Sequence, residues 1–165
     1  MKSDKSFLVR FLLWGLCFFL VGCATNKVAM DLVDYVNQGV LNIAELEKHS
    51  LERYASVTGK NYTTDERVYE ALKVDVIPQY KRFLDSLRKI RPKTEEVNKL
   101  HGVYIRGAEY LYRGFKAKKL GLERKDEYLI RAANEKIEKG RMENEKWRNM
   151  LIEICKKHGV GEKKE

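Results

Sequence analysis

The stretch ERKDEYLIRAANEKIEKGRMENEKWRNMLIEICKKH, residues 123–158, decides the fold class of this chain. Within it Ile130, Ala133, Ile137, Gly140, Asn144, Trp147, Leu151 and Ile154 recur at alternating steps of three and four. A strand repeats every two residues and cannot carry that pattern. Steps of three and four trace the seam of a helix lying along a near-antiparallel neighbour at about 20°. Gly159 follows as a left-handed stop after Lys156, Lys157 and His158. Cations there suit the negative end of the helix dipole.

Three further segments carry helical spacing. A first helix spans roughly Val28 to Val57, with a stripe at Val33, Val36, Val40, Ile43, Leu51 and Tyr54 in which Glu47 occupies one step. Gly59 reads as its cap, and Thr63 with Glu66 as a capping box that opens the second helix. That helix carries Val68, Leu72, Val76, Tyr80, Phe83, Leu87 and Ile90. Pro78 lies inside it, so a kink or break is expected near Val74 to Ile77. Arg91-Pro92 closes it, and Thr94-Glu95-Glu96 opens a third helix with Val97, His101, Tyr104, Ala108, Leu111 and Phe115 on one face, stopped by Gly121. Short connections force sequential helices to be antiparallel neighbours. The expectation is an all-α, up-down-up-down four-helix bundle of long antiparallel helices over residues 28–159, with 160–165 a frayed tail. No second domain, repeat or low-complexity tract interrupts it.

Residues 1–22 have another character. Lys2, Lys5 and Arg10 precede an apolar run from Phe11 to Val21, and the segment ends in Leu20-Val21-Gly22-Cys23. This is the layout of a cleaved secretory signal peptide. The run is about 11 residues, where a membrane-spanning helix needs roughly 20. Leu-Val-Gly-Cys resembles the lipobox of bacterial lipoproteins, and the resemblance covers residues 1–23 alone. It implies that the Cys23 thiol carries diacylglycerol, that residues 1–22 are removed, and that the new amino terminus is acylated, often with palmitate. Residues 23–27 would then be the lipidated cysteine and a short linker. In Gram-negative lipoproteins an Asp after the cysteine commonly favours the inner membrane. Ala24 therefore leans towards an outer-membrane anchor facing the periplasm, if the source is such an organism.

The chain has 165 residues and a formal charge of +9. Removal of residues 1–22 takes away three cations and Asp4, leaving 143 residues at +7, about one basic domain. Export removes nucleic acid from the expected partners and leaves anionic lipid, envelope polymers and acidic proteins. Cys17 leaves with the signal and Cys23 is taken by lipid, so Cys155 has no intramolecular partner. It reads as a small buried hydrophobe, with an intermolecular disulfide as the alternative.

No catalytic or cofactor motif appears, so the chain reads as a protein without intrinsic catalysis and with no cofactor. His49, His101 and His158 are scattered, and His101 falls on an apolar stripe as a core residue. Cys155 and His158 share one helix turn, but two ligands do not close a metal site, and none is expected. Glu47, Gly140 and Asn144 interrupt apolar seams and read as register-setting positions. Gly140 implies close approach by something bulky, either Trp147 of a neighbouring molecule or Phe83 of the same one.

Two surfaces are candidates for binding. Arg88, Lys89, Arg91 and Lys93 end the second helix, and Lys156 and Lys157 end the fourth. The expected topology puts both clusters at the end where Cys23 lies, beside an anionic membrane surface. The small-residue line Val103, Gly107, Tyr110 and Gly114 on the third helix is a candidate protein-partner face. The overall expectation is a lipid-anchored envelope protein of structural or adaptor type that binds a protein or an anionic envelope component. The alternative is a module that holds a small apolar molecule or a metal between its helices.

Overall fold

A computed structural model describes residues 26–161. Cys23, its signal and most of its linker lie outside the described residues, as does most of the tail. Helix α1 covers 27–55, as Lys27–Asp34, a π-helical segment Tyr35–Val40, and Leu41–Ala55. Helix α2 covers 65–87, with a π-helical segment at Leu72–Val76 between Asp65–Ala71 and Ile77–Leu87. Helix α3 is Glu95–Arg124 and α4 is Glu127–His158. The irregularity expected near Val74 to Ile77 takes the form of the π-helical segment Leu72–Val76, which interrupts the α-helical ladder without ending the helix. The proline sits at the start of Ile77–Leu87, and the wider π turn before it absorbs the missing donor within one continuous rod.

The helices alternate in direction. At one end the Asn26 amide donates to His158 Nδ1 at 2.9 Å, and the other ring nitrogen donates to Glu96 at 2.9 Å. The start of α1, the start of α3 and the end of α4 therefore meet. At the far end Lys118 of α3 donates to the Tyr54 hydroxyl of α1 at 3.0 Å. This is an up-down-up-down four-helix bundle. Its core is threaded by touching rings: Tyr54–Phe115 at 4.9 Å between centroids, Tyr80–Phe115 and Tyr80–Phe83 at 5.3 Å, Phe83–Tyr104 at 5.8 Å, and Tyr104 stacked on Trp147 at 4.2 Å.

Three local boundaries differ from the sequence expectation. The fully buried apolar positions at the start of α1 are Leu32 and Tyr35, while the expected Val33 and Val36 are only partly buried. The π segment widens one turn, so Tyr35 and Val40 face the core five residues apart and the stripe before them is shifted by one. Thr64, not Thr63, caps α2 by accepting from the Arg67 amide at 3.3 Å. Gly121 does not stop α3, which continues to Arg124 before Lys125 takes the left-handed conformation (φ 54°).

Gly121 is instead part of a contact ladder. Gly107, Gly114 and Gly121 recur every seven residues on α3, opposite Asn144, Ile137 and Ile130 of α4. A Cβ at Gly114 would lie 2.6 Å from Ile137 Cγ1 and 3.0 Å from its backbone nitrogen. Gly140 answers from α4: a Cβ there would lie 2.6 Å from Leu111 Cγ and 2.9 Å from the Gly107 carbonyl oxygen. The group approaching Gly140 is thus α3 itself, and neither Trp147 nor Phe83. Removing Cβ atoms along this line lets the two backbones pack closely from Gly107 to Gly121 of α3.

A sign reversal between two glycines checks this ladder. Alanine is favoured over glycine inside a helix by about 1 kcal/mol. At Gly102 a Cβ would meet only the flexible Arg106 side chain at 3.8 Å. Gly102→Ala should raise stability by up to that amount in urea unfolding followed by circular dichroism. Gly114→Ala should lower it by about 1–3 kcal/mol, because backbone has to move. Stabilisation at both positions would contradict the close α3–α4 contact.

Candidate functional site

Two polar constellations stand out, one inside the bundle and one at the Asn26 end. Inside, Glu47 of α1 occupies a core-facing step and receives one donor from each other helix. Tyr80 of α2 donates at 3.4 Å, Tyr104 of α3 at 2.5 Å, and Asn144 of α4 at 3.2 Å. Burial pushes the Glu47 carboxyl above its usual range, while the three donors and the Arg148 charge act against the rise. Both phenols are held well above their ordinary values by burial and the adjacent carboxylate, so they remain donors. The Asn144 oxygen is buried without a partner among the described residues and sits over Gly107, where a Cβ would come within 2.1 Å of it. Gly107 is glycine so that Asn144 can reach Glu47.

A second polar layer lies nearer the Asn26 end. Trp147 Nε1 donates to the Tyr35 hydroxyl at 3.3 Å, and that hydroxyl lies 3.4 Å from His101 Nδ1. The other ring nitrogen of His101, Nε2, is buried and has no partner among the described residues. Burial drives the His101 pKa down to about 4, helped by the Arg91 charge, so the ring is neutral. His101 is a core residue, 5% exposed. Both Glu47 oxygens are engaged by side chains of the same chain, so the cluster fixes a charge or a proton in place.

Cys155 and His158 do not act together. His158 is taken by Asn26 and Glu96, while Cys155 packs against the core and burial pushes its thiol up. Among the described residues no group of three or more His, Cys, Asp or Glu side chains is placed to hold a metal ion.

The basic clusters do not gather at one level, and several of the charges are neutralised. Lys93 and Lys157 lie at the Asn26 end, whereas Arg88 reaches Glu109, fourteen residues into α3, and Ile90 beside Lys89 packs on Gly39, twelve residues into α1. Arg88 pairs with Glu109 at 2.7 Å, Lys93 with Asp34 at 3.0 Å, and Lys157 with Glu96 at 2.9 Å. The Arg91 guanidinium donates to the carbonyls of Arg88 and Ile90, just past the end of α2. Lys89 and Lys156 are exposed and unpaired among the described residues. Sequence reasoning missed Asp31, the residue that organises this end. It is buried, and accepts from the Lys93 amide at 3.0 Å and from the Thr94 amide and hydroxyl at 2.7 Å each. Burial opposes its ionisation, yet these donors and the Lys93 charge hold its carboxyl below the ordinary range. The only signal was an acidic residue one step from an apolar stripe whose phase the π segment conceals.

The candidate partner face on α3 requires correction. Val103, Gly107 and Gly114 are buried, and both glycines lie beneath α4 residues of the same chain. Tyr110 alone is exposed, at 38%. The small-residue line exists to seat α4.

The two buried titratable groups have opposite pH signatures. Glu47 has a folded pKa above its usual 4.5, so the stability tied to its protonated form is lost as pH rises through the folded value. His101 has a folded pKa of about 4 against 6.5, so the neutral ring's contribution is present above pH 6.5 and lost as pH falls towards 4. In urea unfolding from pH 4.5 to 8, Glu47→Gln should gain on the parent as pH rises. His101→Leu should gain on it as pH falls below about 6.5. A pH-independent difference at either position would contradict that group's environment.

No family model, curated protein or solved structure matches this chain, so its functional reading rests on its own residues.

Proposed function

We propose that the chain is a lipid-anchored envelope protein of structural or adaptor type, tethered through Cys23 and presenting a rigid helical rod. The observation that carries this reading is the Asn26–His158 contact at 2.9 Å, which ties the chain just after the lipobox to the bundle end bearing Lys93, Lys156 and Lys157, with Arg88, Lys89 and Arg91 farther along the rod. A lipid on Cys23 would hold that end against the bilayer. Each cation near an anionic surface adds about 1 kcal/mol to a single-site anchor. The ion pairs and the position of Arg88 and Lys89 along the rod reduce the number that contribute, with Lys156 best placed. No helix among the described residues is long and apolar enough to cross a membrane. On this reading attachment depends on the acyl chains, and Ala24 favours the outer membrane of a Gram-negative cell. Another protein or an anionic envelope polymer would dock on the rod.

The other reading places a small apolar ligand or a metal inside the bundle. It needs space beside Glu47, His101 and Asn144, where Tyr35, Tyr80, Tyr104 and Trp147 already meet in hydrogen bonds.

Metabolic labelling with an alkyne palmitate analogue tests the anchor. The parent should be labelled and should remain with membranes after salt and carbonate washes. Cys23→Ala should lose the label and persist as an uncleaved or soluble form. Labelling that survives the substitution would refute the assignment of Cys23.

A further inference from the structure

A groove of about 390 Å³ opens between the π segment of α1 and the connection from α2 to α3. That volume falls within the usual size of small-molecule sites. Its apolar lining comes from Tyr35, Gly39 and Ile43 on one side and Ile90 and Pro92 on the other. Gly39 keeps the walls close, since a Cβ there would lie 3.1 Å from Ile90 Cγ2. The π segment, a feature often found at functional sites, is what brings Gly39 to this wall.

The charges in the groove are unequal in availability. Asp31 and Asp34 line it, but both are committed. Asp31 accepts three donors from Lys93 and Thr94 at the positive end of α3. Asp34 pairs with the Lys93 ammonium at 3.0 Å and accepts from Gln38 at 3.4 Å. Lys89 and Arg91 also line the groove. Lys89 has no partner among the described residues, and Arg91 spends one nitrogen on the Arg88 and Ile90 carbonyls while its remaining donors stay available. Asn42 donates its amide to the Gln38 carbonyl at 2.7 Å, which leaves its side-chain oxygen to accept from a ligand hydroxyl.

We infer that this groove binds an anionic, phosphate-bearing ligand, with the phosphate on Lys89 and Arg91 and a polyol portion along Asn42 and Ser86. Arginine and lysine together give a planar fork and a point charge, a combination suited to phosphate oxygens. The apolar lining suits the glycerol backbone and first methylenes of a phospholipid. The same phosphate chemistry is offered by a soluble phosphomonoester. The headgroup source rests on the anchoring proposed above; the phosphate site itself does not.

The test uses the full chain in a neutral detergent, followed by the amide resonances of Gly39 and Ile90. The probes are glycerol 3-phosphate, phosphatidylglycerol, and the phosphate-free controls glycerol and diacylglycerol. Saturable shifts with either phosphate compound and none with the controls are expected. A response to phosphatidylglycerol alone identifies the lipid source, and a response to glycerol 3-phosphate alone the soluble one. Lys89→Gln should weaken binding about tenfold, the worth of one charge-assisted hydrogen bond, and Lys89→Gln with Arg91→Gln should abolish it. Lys139→Gln with Lys146→Gln removes equal charge outside the groove and should leave binding unchanged. Equal losses from both pairs, or shifts with the phosphate-free controls, would overturn the inference, as would no saturable response. None of these readouts depends on membrane attachment, so a failed anchor and a failed groove remain distinguishable.

Discussion

The bundle depends on one core-facing carboxyl group. Glu47 is engaged by Tyr80, Tyr104 and Asn144, so a single side chain of α1 is tied to all three other helices. A charge removed from water costs several kcal/mol unless its lone pairs are satisfied. Sliding any helix by one turn, about 5.4 Å, would withdraw a donor and leave that cost exposed. An apolar core at this level would tolerate such slippage, because one leucine layer resembles the next. A paired carboxylate specifies one alignment at some expense of stability.

That alignment reaches the ends through two devices. Along α3 and α4, the glycine ladder admits only one register, since Asn144, Ile137 and Ile130 must each meet a position without a Cβ. At the Asn26 end, Asp31 accepts the Lys93 and Thr94 amides of the connection just before α3, so α1 cannot rotate without leaving those donors unpaired. The result is a rod whose basic end, groove and chain start are held in fixed relation. A molecule of this kind does its work by position, and proposed anchoring through Cys23 would convert that position into an orientation on a membrane.

Much of the fold is legible in the sequence, and the illegible parts have physical causes. The seam from Ile130 to Ile154 identifies α4 and its antiparallel neighbour, because a period of three and four has one structural solution. The interruptions at Glu47 and Asn144 are visible as polar residues on apolar stripes, and they prove to be bonded to each other. Their tyrosine partners read as apolar positions, because a hydropathy pattern does not show where a hydroxyl points. The phase of α1 before Val40 is not legible, since a π turn leaves no composition signature and moves the core face from Val33 and Val36 to Leu32 and Tyr35. Asp31 was lost with it, and so was the groove beside Gly39. Gly107, Gly114 and Gly121 are conspicuous in sequence, yet glycine at helical spacing serves a partner chain, a stop or a close neighbour equally well. Only the partner helix decides among these, and α4 does so.

Neutron reflectometry of the lipidated chain on a supported anionic bilayer tests the account's central claim, that the anchor holds the bundle end-on by its basic end. The longest helix has 32 residues and is roughly 48 Å long. The account predicts a protein layer on the order of 50 Å deep above the headgroups. A layer only about 20 Å deep, two helix diameters, would show the bundle lying flat and contradict the end-on orientation.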